Sequence, residues 1–242
     1  MGILQRLFPA RRPAKPVCTA LIAAAGSSER MQGENKLLLP LGGKPVLAHT
    51  LLALERAESV SEIIIAAREE DLVRFADLCK TYGVTKPVKV VVGGKTREES
   101  VFRAALEADP NANLLAVQDG ARPLVTPELI DSVVAKAHEC YAAAPAIPVH
   151  DTIKIAENGE VRSTPDRSTL YAVQTPQVFD AELLRAALQS AQEAGAALTD
   201  DCSAVERLGK QVYLTEGSEE NIKITTPLDM ILAQAILERR GD

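Results

Sequence analysis

The stretch Val17–Lys36 reads VCTALIAAAGSSERMQGENK. Its first half, Val17 to Ala25, is an apolar run. Such a run predicts a parallel strand buried on both faces, because a half-exposed strand would alternate polar with apolar. Its second half is small and polar and carries Arg30 and Lys36. In open α/β sheets, ligands bind beyond the carboxyl ends of the strands, and this loop leaves its strand at that edge. Small residues there let a ligand approach backbone N–H groups, which suits an anion or a planar base. The dinucleotide pattern G-x-G-x-x-G is absent, since Ser27 and Ser28 follow Gly26. The pattern G-x-x-x-x-G-K-[ST] fails because Lys36 lies between Asn35 and Leu37. What remains is a tight loop with two cations in its tail, suited to a triphosphate. Backbone donors would hold oxygens, while Arg30 and Lys36 offset charge that grows at a pentacoordinate phosphorus.

Outward from this loop, strand and helix patterns alternate. Helical spacing runs over Lys44–Ala57, Glu69–Tyr82, Thr96–Ala108 and Pro127–Cys140. Apolar runs at Ser61–Ala67 and Val88–Gly94 read as strands, and Asn113–Pro123 as a strand running into a loop. Four strand–helix pairs in succession predict a doubly wound, mostly parallel sheet of the Rossmann-like α/β class, with right-handed crossovers. The alternation then breaks. Asp151–Val173 carries an Asn-Gly turn and reads as a polar β-hairpin. An arm over about 150–172 cannot bury a face by itself, so a second copy of the chain is the expected cover. Helices near Ala181–Ala194 and Asp200–Leu208 follow. Strands at Gln211–Leu214 and Asn221–Thr225 and a helix from Pro227 complete a single domain over 17–242. Residues 1–16 carry Arg6, Arg11, Arg12 and Lys15 among three prolines and read as a flexible basic tail.

Composition narrows the function classes. Of 242 residues, 46% are hydrophobic and only 3% aromatic, without Trp, so base stacking on a nucleic-acid strand is not expected. The net charge of −6 argues against a general polyanion surface but leaves room for a local cationic pocket. The four cysteines form no C-x-x-C pair, which fits free thiols in a reducing cytoplasm. No apolar stretch approaches the ~18 residues of a membrane span. The three histidines are scattered, and nothing suggests a Ser-His-Asp triad.

At the first loop the sequence resembles the nucleotidyltransferases that activate sugar and polyol phosphates. More narrowly, it resembles the 2-C-methyl-D-erythritol 4-phosphate cytidylyltransferases of the non-mevalonate isoprenoid pathway. The likeness extends from about Cys18 to Leu237. It rests on GGKTREESV (Gly93–Val101), VQDGARPLV (Val117–Val125), DTIK (Asp151–Lys154), DRSTLYAVQTPQVF (Asp166–Phe179), TDDCSAVE (Thr199–Glu206) and NIKITTPLD (Asn221–Asp229), in that order. It implies a reaction of CTP with a polyol phosphate, giving a CDP-polyol and pyrophosphate with Mg²⁺. A phosphate oxygen is already an anionic nucleophile, so catalysis consists of aligning two anions and neutralising them.

The resemblance also implies roles. Ala23, Ala24, Ala25 and Gly26 would contact base and phosphates through the backbone. Arg30 and Lys36 would stabilise the transition state. Gly94 and Ser100 would recognise cytosine and ribose. Asp119 would accept polyol hydroxyls or hold Mg²⁺ through water, and Arg122 would join it at the substrate. Thr152, Arg167 and Thr175 belong to the arm and its return, and the arm's Thr152 and Arg167 would reach the site of the other subunit in a homodimer. Lys223 would hold the nucleophilic phosphate from within its own chain. Ribitol-5-phosphate cytidylyltransferases share nearly all these blocks and stand as the alternative. Glycosyl transfer from a nucleotide sugar would need a D-x-D pair, and QDGAR has only Asp119. A non-catalytic nucleotide-binding module would be marked by loss of Arg30 or Lys36, and both are present.

Overall fold

The computed structural model describes residues 16–26 and 35–241. The basic tail expected over residues 1–16 therefore lies almost wholly outside the described residues. β1 (Cys18–Ala24) is the apolar run read from the sequence. A 3-10 turn at Lys36–Leu38 leads to the short pair β2 (Pro40–Leu41) and β3 (Lys44–Pro45). The pair reverses at Gly42 and Gly43, whose φ values of +54° and +78° are ones that side chains disfavour. Then come α1 (Val46–Arg56), β4 (Val60–Ala67), α2 (Leu72–Thr81), β5 (Val88–Val92), α3 (Arg97–Leu106), β6 (Leu114–Asp119) and α4 (Pro127–Cys140). The four expected strand–helix pairs are thus present. Thr126 caps α4 by accepting from Leu129 N, with Pro127 in the first turn.

β1 pairs in parallel with β4 on one side and β6 on the other, and β4 pairs in parallel with β5. The chain therefore runs outward from β1 to β5 and returns to the opposite side of β1 as β6. That reversal between β1 and β6 opens a crevice at their carboxyl ends. Alternation along the strands divides the core into two layers. Ala20, Ile22, Ile63 and Ile65 pack against α1, α2, α4 and the closing helix α7 (Pro227–Arg240). Leu21, Ile64, Leu115 and Val117 face α3, α5 (Ala181–Glu193) and α6 (Asp201–Arg207).

The second half departs from the expected pattern. β7 (Ala142–Pro148) is a sheet strand that the sequence reading missed. The arm hairpin is limited to β8 (Ile155–Glu157) and β9 (Glu160–Ser163), turning at Asn158 and Gly159 with φ of 52° and 81°. β10 (Tyr171–Val173), read as part of the arm, lies on the main sheet against β7. β11 (Gln177–Asp180) inserts antiparallel between β6 and β7. β12 (Tyr213–Glu216) covers the other edge of β7 in parallel. The strand expected at Asn221–Thr225 is not one: side-chain bonds and the single backbone bonds of Asn221 N to Ser218 O and Ile224 N to Ala121 O hold that segment, not a ladder. No helix among the described residues is long and apolar enough to cross a membrane.

Candidate active site

The crevice brings the end of β1 beside the end of β6. Between them lies a cavity of about 360 Å³. Ala23, Ala24, Ala25 and Gly26 form one wall, and Asp119, Gly120 and Ala121 another. Lys36 and Lys223 enter from the loop tail and from the segment before α7, and Gly94 and Ser100 close the side next to α3. These expected residues, far apart in sequence, are therefore brought together. Arg30 lies outside the described residues.

Asp119, 6% exposed, is the electrostatic centre. Lys223 Nζ lies 2.7 Å from its Oδ2, and the Arg97 guanidinium 3.3 Å from its Oδ1. Arg122 Nε stands 3.8 Å from Oδ2. Burial opposes ionisation of the carboxyl, but the charges of Arg97, Lys223 and Arg122 outweigh it and hold the pKa below the usual aspartate range. Arg97 also reaches the fully buried Asp201, at 2.7 Å. Burial pushes Asp201 upward, against the pull of Arg97, while Asp119 and Asp200 add to the rise.

Lys36 Nζ donates to Ile224 O at 2.8 Å, and Ile224 N donates to Ala121 O at 2.8 Å. The loop tail, the segment before α7 and the turn after β6 are thereby tied at the cavity rim. On the α3 side, Ser100 Oγ accepts from Gly94 N at 2.9 Å and donates to Thr96 O at 2.8 Å. A Cβ on Gly93 would fall 2.6 Å from Ala25 Cβ, and one on Gly94 2.3 Å from Glu99 Cγ. Glycine is what fits there, because a side chain at either position would run into Ala25 or Glu99.

The remaining expected residues lie elsewhere. Arg122 is packed behind Asp119, where it donates to Asn221 O at 2.5 Å and braces the segment that carries Lys223. Thr175 is buried, and its hydroxyl accepts from Asp119 N at 3.1 Å. Thr152 is exposed at the base of the arm. Arg167 donates to His150 O at 2.6 Å on the exposed arm. None of these four lines the cavity of its own chain.

The profile of the 2-C-methyl-D-erythritol 4-phosphate cytidylyltransferase family matches residues 18–239. The chain belongs to this family. The enzyme of that name from Halalkalibacterium halodurans is 43% identical over 223 residues, covering 92% of this chain and 97% of that one. The Bacillus cereus enzyme is 44% identical over 220 residues, covering 90% and 97%. Among solved structures, the Anaerococcus prevotii 4-diphosphocytidyl-2C-methyl-D-erythritol synthase superposes with a TM-score of 0.84 at 32% identity, covering 92% of this chain and 96% of that one. The Thermus thermophilus cytidylyltransferase gives 0.74 at 32% identity, covering 92% and 99%.

Within the family's sheet, this chain places a residue at the site that sequence reading passed over. Arg97 opens α3, where a cation opposes the helix dipole. An arginine in the first turn of a helix gains from a carboxylate nearby, and here it has Asp119 and Asp201. That misplaced charge in TREES was the available signal. Lys95 and Thr96 also line the cavity and were likewise passed over.

Proposed function

We infer that the protein transfers a cytidylyl group from CTP to 2-C-methyl-D-erythritol 4-phosphate. The products are pyrophosphate and 4-diphosphocytidyl-2-C-methyl-D-erythritol, an isoprenoid precursor. One observation carries the mechanism: Lys36 and Lys223 border a single cavity at the β1/β6 reversal. The phosphate of the polyol attacks the α-phosphate of CTP, and the α–β bridging bond breaks. The attacking oxygen is already anionic, so the residues have two charges to hold in line rather than a proton to remove. Lys36, with Arg30 six residues before it in sequence, offsets the charge at the α-phosphate. Lys223, held at the wall by Asp119, meets the nucleophilic phosphate. The wall of Gly94 and Ser100 takes the pyrimidine and ribose.

Mg²⁺ belongs to this reading as a companion of the nucleotide's phosphates. No group of three or more acidic, His or Cys side chains among the described residues is placed to hold a metal. Asp119, whose oxygens face Lys223 and Arg97, is a poor direct ligand. No step is assigned to the ion.

The arm supports a homodimer with arms exchanged. Ile153, Ile155 and Val161 are 40–59% exposed on it, and Thr152 and Arg167 do not line their own chain's cavity. In the partner's cavity Arg167 would clamp the polyol's phosphate. The free thiols fit a cytoplasmic setting. Methylerythritol phosphate is favoured over ribitol 5-phosphate by the family to which the chain belongs. The test is pyrophosphate release from CTP and Mg²⁺ with either polyol phosphate. Faster release with ribitol phosphate would reverse the assignment.

A further inference from the structure

The proposed chemistry leaves one buried carboxylate beside the site without a role. Asp71, fully buried, ends the 3-10 turn Glu69–Asp71 that follows β4. Its Oδ2 receives Arg68 Nε at 2.9 Å and Asn35 Nδ2 at 2.8 Å. Arg74 NH1 stands 3.6 Å from Oδ1. The other end of the Asn35 amide is also engaged: Oδ1 accepts from Leu37 N at 3.1 Å, capping the turn Lys36–Leu38. Asn35 O accepts from Leu38 N at 2.9 Å. The residue that roots Lys36 is therefore fixed at both ends of its side chain and at its carbonyl.

Stability alone does not call for such a group, since a buried ion pair is often no better than apolar residues of similar volume. Placement does. Lysine presents a point charge on a long flexible stem, so where its charge arrives depends on where the stem is rooted. A small misplacement of a charge aimed at a reacting phosphate is costly.

We propose that Asp71 is a positioning residue for Lys36, acting through the Asn35 amide. The proposal rests on the reading of Lys36 as the cation at the α-phosphate.

The test uses Asn35→Asp, which keeps the cap on Leu37 but sets a second carboxylate against Asp71. It also uses the exchange Asn35→Asp with Asp71→Asn, which restores one amide and one carboxylate. Both are read by kcat for pyrophosphate release, KM for CTP and Tm. Asn35→Asp lowers kcat about tenfold with KM within about twofold, and the exchange recovers kcat to within about threefold of the parent. Placed on Lys36→Ala, Asn35→Asp lowers kcat no further, although its effect on Tm persists. If Asn35→Asp does not fold, Asn35→Ser serves, because its hydroxyl can cap Leu37 but is too short to reach Asp71. The same loss of kcat with and without Lys36, or an unchanged kcat in the folded variant, overturns the proposal alone. Unimpaired turnover in Lys36→Ala overturns the reading of Lys36, and the proposal with it.

Discussion

The cavity and the arm are built on opposite terms. Around the cavity, Asp119 and Asp201 are withdrawn from water and held by the partly buried Arg97 and Arg122. On the arm, β8 and β9 are exposed at every position, and Arg162 pairs with Glu157 and Glu160 at the surface. The cavity is a preorganised half-site, rigid because each charge is needed by the next. The arm carries Arg167 and Thr152 on a ribbon that its own chain does not cover. The homodimer proposed above would use this division: the nucleotide would meet the wall already built, and the second phosphate a cation brought by the partner.

The contrast can be broken first in stability. Arg97→Ala leaves the buried Asp201 without its cation and removes one of the three cations beside Asp119, and should cost about 3–5 kcal/mol. Arg162→Ala, with its side chain 51% exposed, should cost under about 1 kcal/mol. Urea unfolding of both variants measures the difference, and equal costs would mean that the cavity's charges are not the scaffold described. In turnover, Lys36→Ala should lower kcat roughly 100-fold or more with little change in KM. Steady-state pyrophosphate release with an unchanged kcat would remove the chemistry from this cavity. On the arm, Arg167→Ala should raise KM for the polyol phosphate about tenfold. Mixing it with Lys36→Ala chains should restore activity, since one of the two sites then has both cations. No recovery in the mixture would confine Arg167 to its own chain.

The two halves of the sheet were unequally legible. β1, β4 and β6 are apolar runs, so the parallel half and the crevice between β1 and β6 could be read directly. β7 could not: its sequence AAAPAIP has a single β-branched residue and a proline in the middle. β11 is only four residues long and directly precedes a helix. At the site, small residues after a buried strand pointed to Ala23–Gly26 and Lys36. What spacing cannot carry is a contact across the chain, such as Lys36 to Ile224, 188 residues apart, or Arg122 to Asn221. Arg122 was therefore read as facing the substrate, whereas it braces the segment that brings Lys223 in. Asn221 was read as part of a strand, whereas its amide donates to Gln174 Oε1 and Thr175 O.

The smallest expected effect probes why the cavity is rigid. Burial alone would make Asp119 hard to ionise, yet Arg97, Lys223 and Arg122 hold its folded pKa below the unfolded value. As pH falls, the unfolded chain takes up this proton before the folded one does. The stabilisation from Asp119 is therefore complete above the unfolded pKa near ~4 and is lost as pH drops through the folded value. Asp119→Asn lacks that dependence. Its Tm should lie below the parent's at neutral pH, and the gap should close as pH falls from about 6 toward about 3. Asp201, raised by burial, has the opposite sign: its share is fullest below the unfolded pKa and is lost as pH rises through its folded value. It is present in both proteins, so the difference between their Tm curves reads Asp119 together with its coupling to Asp201 through Arg97. A gap that stays constant or widens in acid would mean that the three cations do not govern this carboxylate. The cavity would then owe its preorganisation to packing, and its charges would no longer be what sets it apart from the arm.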